Sequence, residues 1–243
     1  LASSAASDVY KRQGYYYPVT TTPLVLMGNA DYDNMPSDWT DLTKDEYKGL
    51  YQLHNLGGGT AKTVFASIIS RYQDPDGDLG ISDEGWEIAA KFLGNAHNIA
   101  DGEDAVGSVI DGTYPMDEHW ASGVLTEQKD RDYKFQIMTP DIGEPYVVES
   151  LAISAGTKKY DTCVAFLNWL GSSDVQLDWS NNYGTIPCQK EALAQVSDDI
   201  KELMETLKPQ DLDWSFIAEN VDAWVEKAEL EYVQSVSYTH LTL

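Results

Sequence analysis

Three glycines set in front of a helix constrain this chain more than anything else in it: Asn55-Leu56-Gly57-Gly58-Gly59-Thr60. After them Ala61, Val64, Phe65, Ile68, Ile69 and Tyr72 recur at the spacing of one helical face. Before them Leu50-Tyr51-Gln52-Leu53 alternates like a short strand. The unit is therefore strand, glycine loop, helix start. A helix start presents unpaired N–H groups and partial positive charge, which suits an anion. Glycines let a ligand come close to the backbone. A glycine turn that only feeds a core helix has the same sequence. No Gly-Lys-Ser/Thr comes after it, so this is not a Walker loop, and it is not a dinucleotide fingerprint either. Its meaning depends on its surroundings.

The chain has 243 residues and is 42% hydrophobic, enough for one large or two small cores. No apolar run approaches the ~18 residues of a membrane helix. A net charge of −24 makes nucleic acid and anionic membrane surfaces poor partners. Seven Trp and fifteen Tyr argue for a packed fold despite that charge. Residues 1–13 and 236–243 have no clear period and resemble translated adapter sequence, so the reading frame is expected to be truncated at both ends. His240 lies in such a flank and receives no role. Cys163 and Cys188 match no zinc or redox spacing; one disulfide or two free thiols fit equally.

In chain order, Tyr15–Met27 reads as an extended strand with edge character. Pro36–Leu42 is a turn and short helix capped by Ser37 or Asp38. Asp74–Gly85 approaches a calcium-loop pattern, with Asp74, Asp76 and Asp78 at alternate positions. It lacks the central glycine (Leu79) and the final Glu (Gly85), so an acidic loop capping the next helix is the plainer reading. A helix over about 83–93 buries Trp86, Ala89, Ala90 and Leu93. Asp101–Ile110 reads as a turn and half-buried strand that delivers Asp111, Thr113 and Tyr114 at its end, where α/β proteins hold ligands. Lys134–Met138 and Gly143–Ile153 are strands, the second carrying Glu149 inside an apolar run, which is costly unless paired or at a site. From Lys158 the pattern is helical, with Tyr160, Cys163, Phe166, Leu167 and Leu170 on one face. Ser173-Asp-Val-Gln176 reads as a capping box. A loop at 182–187 comes next, then helices over about 198–207 and 215–232.

The ordered set Thr22-Pro23-Leu24, Pro36-Ser-Asp-Trp39, Tyr47-Lys48-Gly49, Gly58-Gly59-Thr60, Glu84-Gly85-Trp86, Gly102-Glu103-Asp-Ala-Val-Gly107, Pro145-Tyr146-Val-Val-Glu149, Ala165-Phe166-Leu-Asn-Trp169-Leu170, Ser173-Asp-Val-Gln176 and Tyr183-Gly184-Thr-Ile-Pro187 resembles the extracellular solute-binding proteins of ABC importers. The similarity is to their ferric-iron/phosphonate/polyamine-like group. It implies an α/β, periplasmic-binding-protein-like type II fold: two lobes joined by two crossing strands, with the first lobe incomplete. By position, residues 14–29 resemble the first crossing, 30–144 lobe 2, 145–153 the return crossing and 154–235 the C-terminal part of lobe 1. The resemblance implies ligand contacts from Thr21, Thr22, Gly58, Gly59, Thr60, Asp111, Tyr114, Glu149 and Tyr183. Iron-binding members carry adjacent tyrosines where this chain has Asp111-Gly112-Thr113-Tyr114, which points away from a ferric site.

The same resemblance implies binding without catalysis, no cofactor and no resident metal. The expected solute is small and charged, an aminophosphonate or a polyamine. The expected partner is an ABC permease, and the expected state a monomer. The expected location is secreted, in the periplasm or as a cell-surface lipoprotein, with the signal segment absent from this fragment. Two other readings stand beside it. A hydrolase would draw on Asp111, Glu149, His54, His97 or His119, the last in the polar turn Met116–Trp120. A calcium-stabilised surface module would be built on Asp74–Glu84.

Overall fold

A computed structural model of the chain describes residues 16–233. The flanks at 1–13 and 236–243, and Tyr15 at the head of the expected first strand, lie outside the described residues. In chain order the structure runs β1 (Tyr17–Gly28), 3-10 turns at Trp39–Thr43 and Asp45–Tyr47, β2 (Tyr51–Leu53), α1 (Gly59–Ile69) with a 3-10 extension at Ser70–Tyr72, β3 (Gln73–Asp78), α2 (Asp83–Asn95) and β4 (His97–Asn98). It continues with α3 (Ala105–Asp111), β5 (Met116–Trp120), α4 (Ala121–Arg131), β6 (Gln136–Ile137), β7 (Tyr146–Leu151), α5 (Tyr160–Leu170) and α6 (Ser173–Tyr183). It ends with β8 (Ile186–Pro187), α7 (Lys190–Leu193), α8 (Asp198–Thr206) and α9 (Trp214–Glu231).

Two compact units share these elements. Among the described residues unit 1 holds 16–27 and 119–211, and unit 2 holds 28–118 and 212–233. This division differs from the expected one at two places. Residues 119–144 group with unit 1, where Met138 N donates to Leu26 O at 3.0 Å and Glu144 N to Lys208 O at 2.8 Å. Residues 212–233 group with unit 2, because Trp224 Nε1 donates to Leu79 O at 3.0 Å and Lys227 pairs with Asp78 at 3.1 Å.

Unit 2 is built on short parallel strands. β2 pairs with β4 through Gln52↔His97 and with β5 through Tyr51↔Met116. α1 forms where the apolar spacing demands: Ala61, Val64, Phe65, Ile68 and Ile69 are all buried. Asp38 caps the first 3-10 turn by accepting from Thr40 N, and Arg71 reaches the same carboxylate at 2.7 Å. α2 starts at Ser82, whose hydroxyl accepts from Gly85 N, and Asp83 and Glu84 occupy its first turn, as the acidic-loop reading expects. The acidic segment before it folds as a hairpin. β3 turns through Leu79 (φ 52°) and Gly80 (φ 78°), and Asp74 N donates to Gly80 O at 2.9 Å. Both turn residues with positive φ match the strand twist of a tight hairpin. Gly77 is required there, since a Cβ would meet Ile81 O at 2.1 Å.

Unit 1 centres on β1. β7 runs antiparallel to it from Tyr17↔Leu151 to Pro23↔Tyr146, and β8 pairs through Thr20↔Pro187 and Thr21↔Ile186. α6 begins one residue earlier than the capping box implies: Ser172 is its N-cap and makes no side-chain cap bond. Gln176 Nε2 instead donates to Leu170 O at 2.7 Å, tying α6 to the end of α5. Cys163 and Cys188 are free thiols. Burial, with Glu149 adding to it, pushes the Cys188 thiol up to about 11.

α5 has the expected apolar face, yet buries none of it fully. Tyr160, Phe166 and Trp169 are 62%, 51% and 57% exposed. Phe166 and Trp169 lie 5.6 Å apart, and exposed aromatics in contact drive association. The purified chain is expected to self-associate with rising concentration, read by light scattering after gel filtration. The double change Phe166→Glu and Trp169→Glu should lower the scattering mass; an unchanged mass would show that this face is not responsible.

Candidate functional site

β5 is the strand whose composition least suits its place. Asp117 and Glu118 are fully buried and His119 nearly so, although a buried ionisable run is expensive. Burial, with the field of neighbouring Asp117 adding and the His54 backbone amide opposing, pushes the Glu118 carboxyl up to about 8. In unit 2 a ring nitrogen of His54 and a carboxylate oxygen of Asp117 lie within 4.8 Å of each other. The carboxyl ends of parallel strands are where α/β folds expose polar groups to ligands. His54 comes directly after β2 and sits at such an end. The polar composition of Met116–Trp120 gives this strand the sequence pattern of a turn.

The glycine loop of unit 2 is built as the sequence implies. Asn55 fixes it: its carbonyl accepts from Gly58 N at 2.8 Å and its side chain from Gly57 N at 2.7 Å. Gly58 is the N-cap of α1, and no side chain caps that helix. Gly57, Gly58 and Gly59 all have ordinary φ, so the glycines serve by being small, not by turning left-handed. A Cβ on Gly59 would meet nothing within 4 Å, which leaves the N–H groups of Gly59 and Thr60 approachable.

Asp111 and Tyr114 are not at a strand end. Residues 105–111 wind into α3 because Asp104 caps it, accepting from Gly107 N at 3.0 Å, and because Val106 and Val109 bury one side. Asp111 is the last residue of that helix and exposed; its carboxyl is held below the usual range by hydrogen bonds from Thr113. Tyr114 stacks on His97 at 4.1 Å with an 8° tilt. His97 Nε2 lies 2.9 Å from Glu103 Oε2, and that oxygen also accepts from Ala100 N. The Glu103 carboxyl is lowered by the Ala100 amide first and His97 second. Tyr114, His97 and Glu103 thus form one cluster in unit 2 that no sequence spacing joins.

Unit 1 holds the remaining expected residues. Glu149 is exposed on β7, and its carboxylate accepts from Thr20 Oγ1 at 2.7 Å and Thr22 Oγ1 at 3.5 Å. Side chains alternate along a strand, so Thr20 and Thr22 share a face while Thr21 takes the other. Thr20, opposite Glu149 in register, is an addition that the sequence alone does not single out. Tyr183 ends α6 beside Gly184 in left-handed conformation (φ 66°), and lines a cavity with His119, Trp120 and Trp179.

The bacterial extracellular solute-binding protein family matches residues 2–208. The chain belongs to this family. A probable ABC transporter periplasmic-binding protein (y4fP) of Sinorhizobium fredii is 33% identical over 225 residues, covering 91% of this chain and 62% of that protein. The chain therefore spans about three fifths of the length of this curated relative. Among solved structures, the ferric binding protein of Campylobacter jejuni superposes with a TM-score of 0.73 at 20% identity, over 89% of this chain and 70% of that one. The apo ferric ion-binding protein A of Pasteurella haemolytica gives 0.77 at 17% identity, over 92% and 71%. At these identities the likeness is one of fold: the α/β fold of type II periplasmic binding proteins.

Proposed function

We propose that this chain is the solute-recognising part of an ABC importer's binding protein, working outside the cytoplasmic membrane and handing its solute to a membrane permease. Membership of the extracellular solute-binding family carries this reading, with polar groups concentrated at strand ends and an uncapped helix start in support. The chemistry is binding and release, driven by different affinities in different conformations. The amides of Gly59 and Thr60 suit a phosphonate, phosphate or carboxylate. Asp111 in unit 2 and Glu149 in unit 1 each suit an amine or a metal, so the solute class is a small charged one, an aminophosphonate or polyamine. The solved relatives are titled ferric-binding; that cargo is a rival, and Asp111-Gly112-Thr113-Tyr114 lacks the adjacent tyrosines the family resemblance assigns to it.

A thermal-shift screen of the chain tests this, with aminophosphonates, polyamines, phosphate, ferric complexes and calcium. A solute at about 100 times its Kd stabilises the folded state by about 2.7 kcal/mol. The expected result is a shift with one organic amine class, reduced by Glu149→Gln. A shift with calcium alone, or with nothing, overturns the reading. The calcium-stabilised module finds no support in the hairpin at Gln73–Ile81, where Asp78 is engaged by Lys227 and Asp74 by its own turn.

A further inference from the structure

The cavity in unit 1 that Tyr183 lines is open to solvent and has a volume of about 270 Å³. Four of its walls are aromatic: His119 and Trp120 from the end of β5, and Trp179 and Tyr183 from α6. His119 and Trp120 stack at 4.2 Å with an 11° tilt. Trp120 is 38% exposed and Tyr183 61%, so both rings present surface at the rim of this cavity. The ring placement depends on one glycine. A Cβ on Gly123 would come within 2.6 Å of Trp120 Nε1 and 2.7 Å of His119 Nε2. Glycine at 123 therefore lets both rings lie against the first turn of α4.

The carboxylate in the lining is already ion-paired, so the ring faces set the sign of the ligand. Among the described residues, Glu127 is the carboxylate in the wall, held by Arg131 at 2.8 Å, and no Lys or Arg lines the cavity. Ser122, Thr126 and Thr185 complete it. Ring faces carry negative charge density and attract cations, most strongly cations too weakly hydrated to prefer water. The chain's net charge of −24 raises the local concentration of cations and disfavours anions. We propose that this aromatic cavity binds the alkylated ammonium end of a small cationic solute. The inference rests on the solute-binding reading and narrows its solute class. A cavity of this size fits such a head group and leaves the rest of a larger solute outside.

The test compares choline with its neutral isostere 3,3-dimethyl-1-butanol, monitored by tryptophan fluorescence of the chain. The expected result is saturable binding of choline and binding of the isostere weaker by roughly tenfold or more. Tyr183→Ala, at an exposed position that the fold does not lean on, should weaken choline by a similar factor while melting temperature and far-ultraviolet circular dichroism stay unchanged. Trp179→Phe should weaken it less than Trp179→Ala. Equal affinity for choline and the isostere overturns the cationic assignment, and choline binding indifferent to Tyr183→Ala overturns the location. Choline silence with a panel solute that still shifts the melting temperature overturns the cavity and leaves the transport reading standing. Silence to both overturns the two together.

Discussion

Trp224→Ala is expected to cost unit 2 about 3–5 kcal/mol, a large fraction of the stability of an ordinary domain. Trp224 is fully buried on α9, with its ring 5.3 Å from Phe216. Its Nε1–H donates to Leu79 O at the tip of the β3 hairpin. Leu79 holds a left-handed conformation that a leucine adopts only at a cost, and this bond is what secures it. Losing the indole therefore opens a cavity and frees a strained turn at once. Trp224→Phe keeps the ring but strands the Leu79 carbonyl, and should cost about 1–3 kcal/mol. Trp214→Ala, at the exposed start of the same helix, should change stability by less than about 0.5 kcal/mol. Urea unfolding monitored by circular dichroism separates the three. Equal midpoints for Trp224→Ala and Trp214→Ala would show that α9 does not anchor unit 2.

Much of this fold is legible in the sequence because its apolar spacing is regular. α1 appears where its apolar period places it and α2 where period and cap place it, and Asp38 and Ser82 cap as their side chains allow. The family resemblance is readable for the same reason: it rests on an ordered series of such segments. Three segments depart from their sequence pattern, two of them because short elements carry little periodicity. Residues 105–111 have valines separated by small residues, a pattern that serves a strand or a helix, and Asp104 as a cap is the signal that decides it. Residues 116–120 have the composition of a turn because their polar groups are buried for reasons other than packing. Residues 212–233 belong to the first lobe by position in the chain, whereas the contacts that place them in unit 2, Trp224 to Leu79 and Lys227 to Asp78, are long-range and leave no local trace. Among the candidate contacts of unit 1, the bond between Thr20 and Glu149 is not readable from sequence, since strand register is set by pairing across 129 residues.

Glu118 makes the second large expectation, that unit 2 loses stability as pH rises from about 4.5 to about 8. Its carboxyl is raised from 4.5 to about 8 by burial first and Asp117 second. In that window the unfolded chain ionises Glu118 while the folded chain keeps the proton. The folded state then binds more protons, so stability falls by roughly 1.4 kcal/mol per pH unit until the folded carboxyl also ionises. Asp41 works in the opposite direction and elsewhere. Burial alone would raise it, but bonds from Lys44 and Ser37 hold it at about 2, so its contribution is intact above the ordinary carboxylate range and is lost only as pH falls toward 2. The two groups therefore do not mask each other between about pH 5 and 8. Glu118→Gln should match the parent near pH 5, exceed it at pH 8, and flatten the slope between. A parent stability that is level or rises over this range, or a Gln variant with the same slope, would sink the assignment. An apolar residue at 118 would avoid this cost altogether. In unit 2 a strand that buries Asp117 and Glu118 in succession beside His54 carries a cost that packing does not repay, the pattern of groups kept for chemistry and not for stability.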